Sequence, residues 1–327
     1  MKNGCFRVPE VETCVWGNWK EKILHIKKGC DKIEWIRKKR GIIEMERYCD
    51  LHTHSVFSDG TCTPGEIVDM AVEMGLSAVA LCDHNTVAGL SDFFAAAQGK
   101  PVEAVGGIEL STEYAGKDLH IVGLFIEPEH YDGITALMEQ GNREKAESNR
   151  KLANTLCSLG YELDYDELCA RHPRGQINRA HIAAWLTEKG YTKSIKHAFS
   201  TLLSTERGYY QPPRSITSLD AISYLKSIGA VAILAHPFLD LNEEELTVFL
   251  PQAKEAGLDA MEALYSCFDS AERETAACLA QRFELLPSGG SDFHGQNKPD
   301  ISLGRGRGDL FIPEEFLTAL KKRKTSR

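Results

Sequence analysis

The sequence predicts an α/β fold built on a parallel sheet, open or closed, and three features carry that prediction. From residue 47 onward, short apolar runs of strand length alternate with amphipathic stretches of helical period. The apolar runs end in His, Asp or Glu, as strands do where an α/β barrel gathers its site at one end of the sheet. Between about 131 and 210 the alternation stops and the pattern turns helical, which predicts a helical insertion over the mouth of a barrel.

Taken in order, RYCDLHTHS is a short strand that ends in polar residues. TPGEIVDMAVEMG follows as a helix, with Thr63 as cap, Pro64 in the first helical position and Gly75 at its end. LSAVALCDHN is a buried strand ending in Asp83 and His84, VEAVGGIELSTEY carries Glu109, and KDLHIVGLF carries His120. GAVAILAHP ends in His236, DAMEALY is a further strand, and ELLPSGGSDFHG ends in Asp292 and His294. ITALMEQGNREKAESNRKLANTLCSLG, INRAHIAAWLTEKG and IKHAFSTLL make up the insertion, each with an apolar and a charged face. Residues 1–46 read differently, with three of the four tryptophans and the basic cluster RKKR at 37–40. They are expected to be a weakly ordered or dispensable extension of a domain running from 47 to 327.

Composition narrows the function. No apolar run approaches the ~20 residues that a membrane-spanning helix needs, nor does the N-terminus resemble a secretory signal, so a cytoplasmic protein is expected. The ten cysteines are scattered and none forms a C-x-x-C pair, which favours buried thiols in a reducing compartment over a cysteine metal cage. A formal charge of -9 argues against a broad surface for double-stranded nucleic acid. An anionic substrate stays open, provided bound cations and a few arginines reverse the field locally.

One histidine at a strand end is more often a hydrogen-bonded structural residue than a ligand. The weight lies in the set: His52, His54, Asp59, His84, Glu109, His120, His236, Asp292 and His294 all fall at or just beyond predicted strand ends. Imidazoles and carboxylates converging in such number are electrostatically incoherent without cations. They form the mixed N/O set that suits Zn, Mn or Fe, and they exceed what one ion can take.

DLHTHSVFSDG, the DH of LCDHN, GIEL, LHIVG, AHP and GSDFHG resemble, in order, the motifs of the PHP (polymerase and histidinol phosphatase) superfamily, over roughly 47–312. The resemblance implies a distorted (β/α)7 barrel with a trinuclear centre. One metal would take His52, His54, Glu109 and Asp292; a second would share Glu109 and take His120 and His236; a third would take Asp59, His84 and His294. Two or three divalent ions are expected, Mn2+ first, with Zn2+ or Fe2+ as alternatives. Catalysis would centre on Glu109, Asp59 and His236, with a hydroxide bridging two ions as nucleophile. Asp83 would either orient a ligand imidazole or cap the next helix.

In the insertion, Arg179 and His181 follow Asn178 at a helix start and are expected to bind substrate phosphate, the guanidinium bidentately. In isolation the segment would pass for a solvated helix face, but it is similar to one in the PHP subgroup that hydrolyses nucleoside 3',5'-bisphosphates and short RNA from the 5' end. Arg143 and Arg150 read better as an outer face laced with Glu144 and Glu147, while Arg305 and Arg307 are weaker substrate contacts. The expected function is thus a metal-dependent phosphoesterase acting on a small phosphorylated nucleotide or the 5' end of short RNA. The alternatives are a histidinol-phosphate phosphatase or a non-catalytic metal-stabilised PHP module.

Overall fold

The computed structural model describes residues 47–173, 177–211 and 216–325, all within one compact unit spanning 44–327. The expected extension at 1–46 lies outside the described residues. Nine strands form a single sheet: β1 (Tyr48–Thr53), β2 (Ala78–Leu81), β3 (Glu103–Tyr114), β4 (Lys117–Leu124), β5 (Ile216–Thr217), β6 (Val231–Leu234), β7 (Ala260–Tyr265), β8 (Leu286–Gly290) and β9 (Ile312–Pro313). Their order is β8-β7-β6-β4-β3-β2-β1-β9, with β5 beside β3.

The sheet rolls into a nearly closed barrel. Beyond β8 the chain runs parallel to the end of β1, where Asp292 N–H donates to His52 O at 2.8 Å and His54 N–H to Phe293 O at 2.9 Å. Closure depends on Gly290, because a Cβ there would lie 2.1 Å from the His52 Cβ. The two strands can approach so closely only where one of them has no side chain.

The alternation of strand and helix breaks at the β3–β4 connection, and again between β8 and the short β9, which is antiparallel to β1. β4 is antiparallel to both β3 and β6, not parallel as expected. Ala115 and Gly116, with φ of 52° and 79°, close a two-residue turn between Tyr114 and Lys117. Two consecutive positive-φ residues match the right-handed twist of a hairpin, and no helix is needed between the strands. Ala-Gly is a weak signal for such a turn beside Asn-Gly or Asp-Gly, so the hairpin is not legible in the local sequence and a parallel sheet is expected there.

Helices cover the outside of the barrel: α1 (Pro64–Glu73), α2 (Leu90–Ala97), and, past the next four, α7 (Ser218–Ser227), α8 (Glu243–Ala256), α9 (Ser270–Arg282) and α10 (Glu314–Thr325). α1 starts as its residues dictate. Thr63 Oγ1 accepts the Glu66 N–H while Glu66 accepts the Thr63 N–H, a reciprocal cap, and Pro64 needs no donor at N1. One core joins Cys49, Leu51, Ala80, Val122 and Ile233 of the strands with Phe316, Leu317 and Leu320 of α10.

Between β4 and β5 lie α3 (Tyr131–Ser158), α4 (Tyr165–Arg171), α5 (Arg179–Glu188) and α6 (Ile195–Ser200). They carry their own core, including Leu152, Leu156, Ile182, Trp185 and Leu186. Fully buried aliphatic side chains contribute about 1.5–3 kcal/mol each. This segment therefore holds its shape by its own packing and presents α3 and α5 as rigid walls. Among the described residues no helix is long and apolar enough to cross a membrane.

Candidate metal centre

The stretch DLHTHSVFSDG leaves β1 and doubles back on itself. Ser58 N–H and Gly60 N–H both donate to Ser55 O, at 3.1 and 2.9 Å, which folds Asp59 over His54. Gly60 is required there, because a Cβ would lie 2.3 Å from His54 O. Asp83, at the end of β2, holds the turn: its carboxylate accepts Ser55 N–H and Ser55 Oγ–H at 2.7 Å and Ser58 Oγ–H at 2.6 Å. Neither of the two roles weighed for Asp83 matches these partners, since it binds two serines of the β1 turn.

All nine residues come together with Glu109 at their centre, although Glu109 and His120 lie inside β3 and β4 rather than at the strand ends expected. Its Oε1 lies 2.9 Å from His120 Nδ1 and 3.0 Å from His236 Nε2. Its Oε2 lies 3.2 Å from His52 Nε2, 3.1 Å from His54 Nε2 and 3.2 Å from His84 Nδ1. Asp292 Oδ1 sits 3.3 Å from both His54 Nε2 and His294 Nδ1, and Asp59 Oδ1 sits 3.2 Å from His294 Nε2. Glu109 and His120 share a face across the β3–β4 hairpin, where Glu109 opposes Val122 and Ser111 opposes His120. The antiparallel β4 is thus what brings His120 to the centre.

His120 and His236 hydrogen-bond Glu109 Oε1, but the contacts to Glu109 Oε2 have the spacing of ligands around one ion. Donor atoms about 2.0–2.2 Å from one divalent ion lie about 3.0–3.4 Å from each other. Glu109 Oε2 has three ring nitrogens in that range, yet none is angled to donate to it. Asp59 Oδ1, His84 Nδ1 and His236 Nδ1 are likewise buried without a hydrogen-bond partner. Three groups could each surround an ion: His54, Asp59, His84 and His294; His52, His54 and Glu109; His84, Glu109 and His120. The residues present therefore fit divalent metal, and the chain carries a His/Asp/Glu cluster able to bind it.

The electrostatics of the cluster run the same way. Burial alone would raise Glu109, but His84, His52 and His120 around it hold its carboxyl well below the ordinary range. Asp59 and Asp292 are held down likewise, against their burial, by His294 and His84 for the first and by Lys298 and His294 for the second. Burial would lower His54, yet Asp292 and Glu109 raise it to about 9. Burial does lower His84 and His294. The surrounding cations and imidazoles thus favour the charged form of all three carboxylates.

Several supporting groups carry no signal in their local sequence. Glu262, buried in β7, accepts His236 N–H at 2.8 Å and lies 2.9 Å from His52 Nδ1, which leaves His52 Nε2 facing the cluster. An acidic residue inside the apolar run DAMEALY was the one available hint. Tyr265 Oη–H donates to Asp292 Oδ2 at 2.8 Å, and Lys298 pairs with the same oxygen. From α5, Asn178 Nδ2 donates to Asp59 Oδ2 at 2.9 Å. Backbone strain collects here too: His236 and Asp292 have φ of 25° and 55°, and Asn85, next to His84, has 54°. Such conformations cost about 1–3 kcal/mol each for ordinary residues and persist where the surroundings impose them.

The cluster opens into a cavity of about 530 Å³, within the range of small-molecule sites. Asp59, His84, His120 and His236 form its floor, while Lys145, Asn178 and Arg179 reach it from α3 and α5. Arg179 stacks on Tyr210 at 4.3 Å and pairs with Asp118 at 2.9 Å. His181 is not among the residues that line the cavity. Its Nδ1 accepts the Asn178 N–H at 3.1 Å as part of the α5 cap, and burial pushes its pKa down to about 4. Arg143 pairs with Glu139 and Arg150 with Asp166, as an outer face requires. Arg307 pairs with Asp300 and Arg305 stacks on Tyr48, at the start of β1 and so at the opposite end of that strand from His52.

Comparison with known proteins agrees with this geometry. The family model described as PHP domain matches residues 50–212. The chain is 31% identical over 251 residues to a protein of Haemophilus influenzae named 5'-3' exoribonuclease, covering 76% of this chain and 91% of that one. It is 28% identical over 258 residues to the 3',5'-nucleoside bisphosphate phosphatase of Chromobacterium violaceum, covering 78% and 90%. A solved structure from Bifidobacterium adolescentis, assigned as a metal-dependent phosphoesterase, superposes with a TM-score of 0.75 at 27% identity, covering 85% of this chain and 96% of that one. Ligand cluster, barrel and relatives converge: the chain belongs to the PHP domain family and is a hydrolase of phosphoester bonds.

Proposed function

We propose that the chain hydrolyses a phosphate monoester or terminal phosphodiester of a small nucleotide, either a nucleoside 3',5'-bisphosphate or the 5' end of a short RNA. The observation that carries this reading is the cavity whose floor is the ligand cluster and whose wall holds Arg179. The names of the relatives from Haemophilus influenzae and Chromobacterium violaceum support the same substrate class.

In this reading His52, His54, Glu109 and Asp292 hold one ion, Glu109, His120 and His236 a second, and Asp59, His84 and His294 a third, with Mn2+ as the expected metal. Divalent ions held by these residues would supply Lewis acidity and a lowered pKa for bound water. Glu109 serves two sites because its two oxygens face different histidines. Asn178 ties Asp59 to the start of α5, which links the wall of the cavity to its floor. Arg179, its plane fixed by Tyr210, offers its remaining N–H groups to a phosphate, and Phe199 and Tyr210 give a nucleoside an aromatic wall. The segment 131–210 thereby acts as the recognition element.

The test offers Mn2+-loaded protein adenosine 3',5'-bisphosphate, a 5'-phosphorylated oligoribonucleotide and histidinol phosphate in parallel, with product release followed. Turnover of a nucleotide substrate is expected. Turnover of histidinol phosphate alone would move the substrate class, and no turnover of any would sink the proposal.

A further inference from the structure

Asp292 enters the ligand cluster through Oδ1, which lies 3.3 Å from both His54 Nε2 and His294 Nδ1. Its other oxygen, Oδ2, receives two donors: Tyr265 Oη–H at 2.8 Å and the Lys298 ammonium at 2.5 Å. The corresponding oxygen of Asp59 has a neutral donor, Asn178 Nδ2. Among the described residues, Lys298 is the one lysine or arginine in an ion pair with any of the nine cluster residues. A positive charge at the edge of a cluster that takes divalent ions opposes their binding, and Asp59 and Glu109 feel the charge of Lys298 as Asp292 does. Positioning does not require it. Tyr265, buried at the end of β7, already fixes Oδ2. The turn that carries Lys298 is anchored by other groups: Gln296 N–H donates to Thr61 Oγ1 at 2.9 Å, and Asn297 Nδ2 to Asp59 O at 2.7 Å. The Lys298 side chain is 38% exposed, which leaves room for its head to extend into water, yet it is turned onto Asp292.

What distinguishes Lys298 from Tyr265 is charge. An ammonium on the outer oxygen draws electron density from the carboxylate, and Oδ1 becomes a weaker donor to an ion. We infer that Lys298 tunes the metal centre through Asp292, loosening the hold on the ion that Asp292 helps to ligate and leaving that ion a stronger Lewis acid. Lys298 does not touch the reacting atoms; it acts on Asp292 while Tyr265 keeps the carboxylate in place. The effect on affinity follows from the ligand cluster alone, whereas the effect on Lewis acidity rests on the phosphoesterase reading above. A unit charge acting on a divalent ion across the width of one carboxylate changes its binding by about 10-fold, even with the dielectric constant of bulk water.

The experiment strips the protein of metal and measures Mn2+ affinity by competition with a chromophoric chelator, in wild type, Lys298→Met, Lys298→Arg and Tyr265→Phe. Lys298→Met keeps an unbranched stem and drops the charge, and it is expected to bind Mn2+ about 10-fold more tightly. Lys298→Arg keeps the wild-type affinity. Tyr265→Phe removes a hydrogen bond without changing charge and is expected to bind about 10-fold more weakly. With p-nitrophenyl phosphate and adenosine 3',5'-bisphosphate as substrates, kcat at saturating Mn2+ is expected to fall in Lys298→Met, which is then both tighter and slower. A lysine that only braced Asp292 would give weaker binding on its loss, as Tyr265→Phe does. Weaker or unchanged binding in Lys298→Met therefore overturns the proposal. So does a Lys298→Arg variant as tight as Lys298→Met, because charge would then not be the cause. Tighter binding with unchanged kcat overturns the effect on Lewis acidity. If wild type turns over neither substrate, the phosphoesterase reading fails for them, and the affinities still decide the role of Lys298.

Discussion

Replacing Asp83 with alanine separates the support of the metal centre from its ligands, because Asp83 touches none of the nine. Its buried carboxylate receives three donors, Ser55 N–H, Ser55 Oγ–H and Ser58 Oγ–H, all within 2.7 Å. A buried donor left without a partner costs about 1–3 kcal/mol. The backbone N–H cannot turn away and bears that cost in full, whereas each hydroxyl can rotate and counts at about 1 kcal/mol. The sum is about 3–5 kcal/mol. Burial of the carboxyl, which raises its pKa, gives back part of this when the group is removed, leaving about 2–4 kcal/mol. That is a large share of a typical stability of about 5–15 kcal/mol. The turn that carries His54 and Asp59 also loses its anchor, so metal affinity is expected to fall about 10–100-fold. Asp83→Asn is the control. Its one oxygen can keep both bonds made by Oδ1, and its amide can donate to Ser55 Oγ, for a cost of about 1 kcal/mol. Urea denaturation with and without Mn2+, together with metal content after dialysis, reads both effects. Asp83→Ala within about 0.5 kcal/mol of wild type and fully metallated would refute the argument.

Glu262→Ala frees the His52 ring and strands the His236 N–H, so metal retention should drop about 10–100-fold while Glu262→Gln recovers part of it; equilibrium dialysis checks both. Gly290→Ala places a Cβ against the His52 Cβ and backbone N, neither of which can yield locally. It should destabilise the barrel by about 1–3 kcal/mol or more, visible as a lower Tm even in metal-free protein. Arg179→Ala is expected to raise KM and lower kcat/KM with metal content unchanged, and unaltered kinetics would remove it from phosphate binding. Chelation, Asp59→Ala and His236→Ala should each abolish turnover, and chelation should also lower Tm, since metal binds the folded site alone.

Much of this site can be read from the chain because strand ends are local features. An apolar run followed by His, Asp or Glu marks His52, His54, His84, His236, Asp292 and His294 as ligands near the mouth of the barrel, whereas Glu109 and His120, inside β3 and β4, meet them only through the fold. The helix α1 is equally local: Thr63, Pro64 and Glu66 settle its start within one turn. What depended on tertiary structure is set by contacts across long separations. The direction of β4 follows from a two-residue turn whose Ala-Gly composition is ambiguous, and it decides that His120 faces Glu109. Asp83 finds Ser55 and Ser58, Glu262 finds His52 and His236, and Asn178 finds Asp59 across 119 residues. His181 illustrates the difference most directly. Its position after Asn178 suits a phosphate ligand, but folding buries it as part of the cap, and it does not line the cavity that Arg179 lines. Residue type and local period determine which side chains can ligate. Closure of the sheet and docking of α3 and α5 decide which of them meet, because burial leaves each polar group to be satisfied by whatever neighbour the packing supplies.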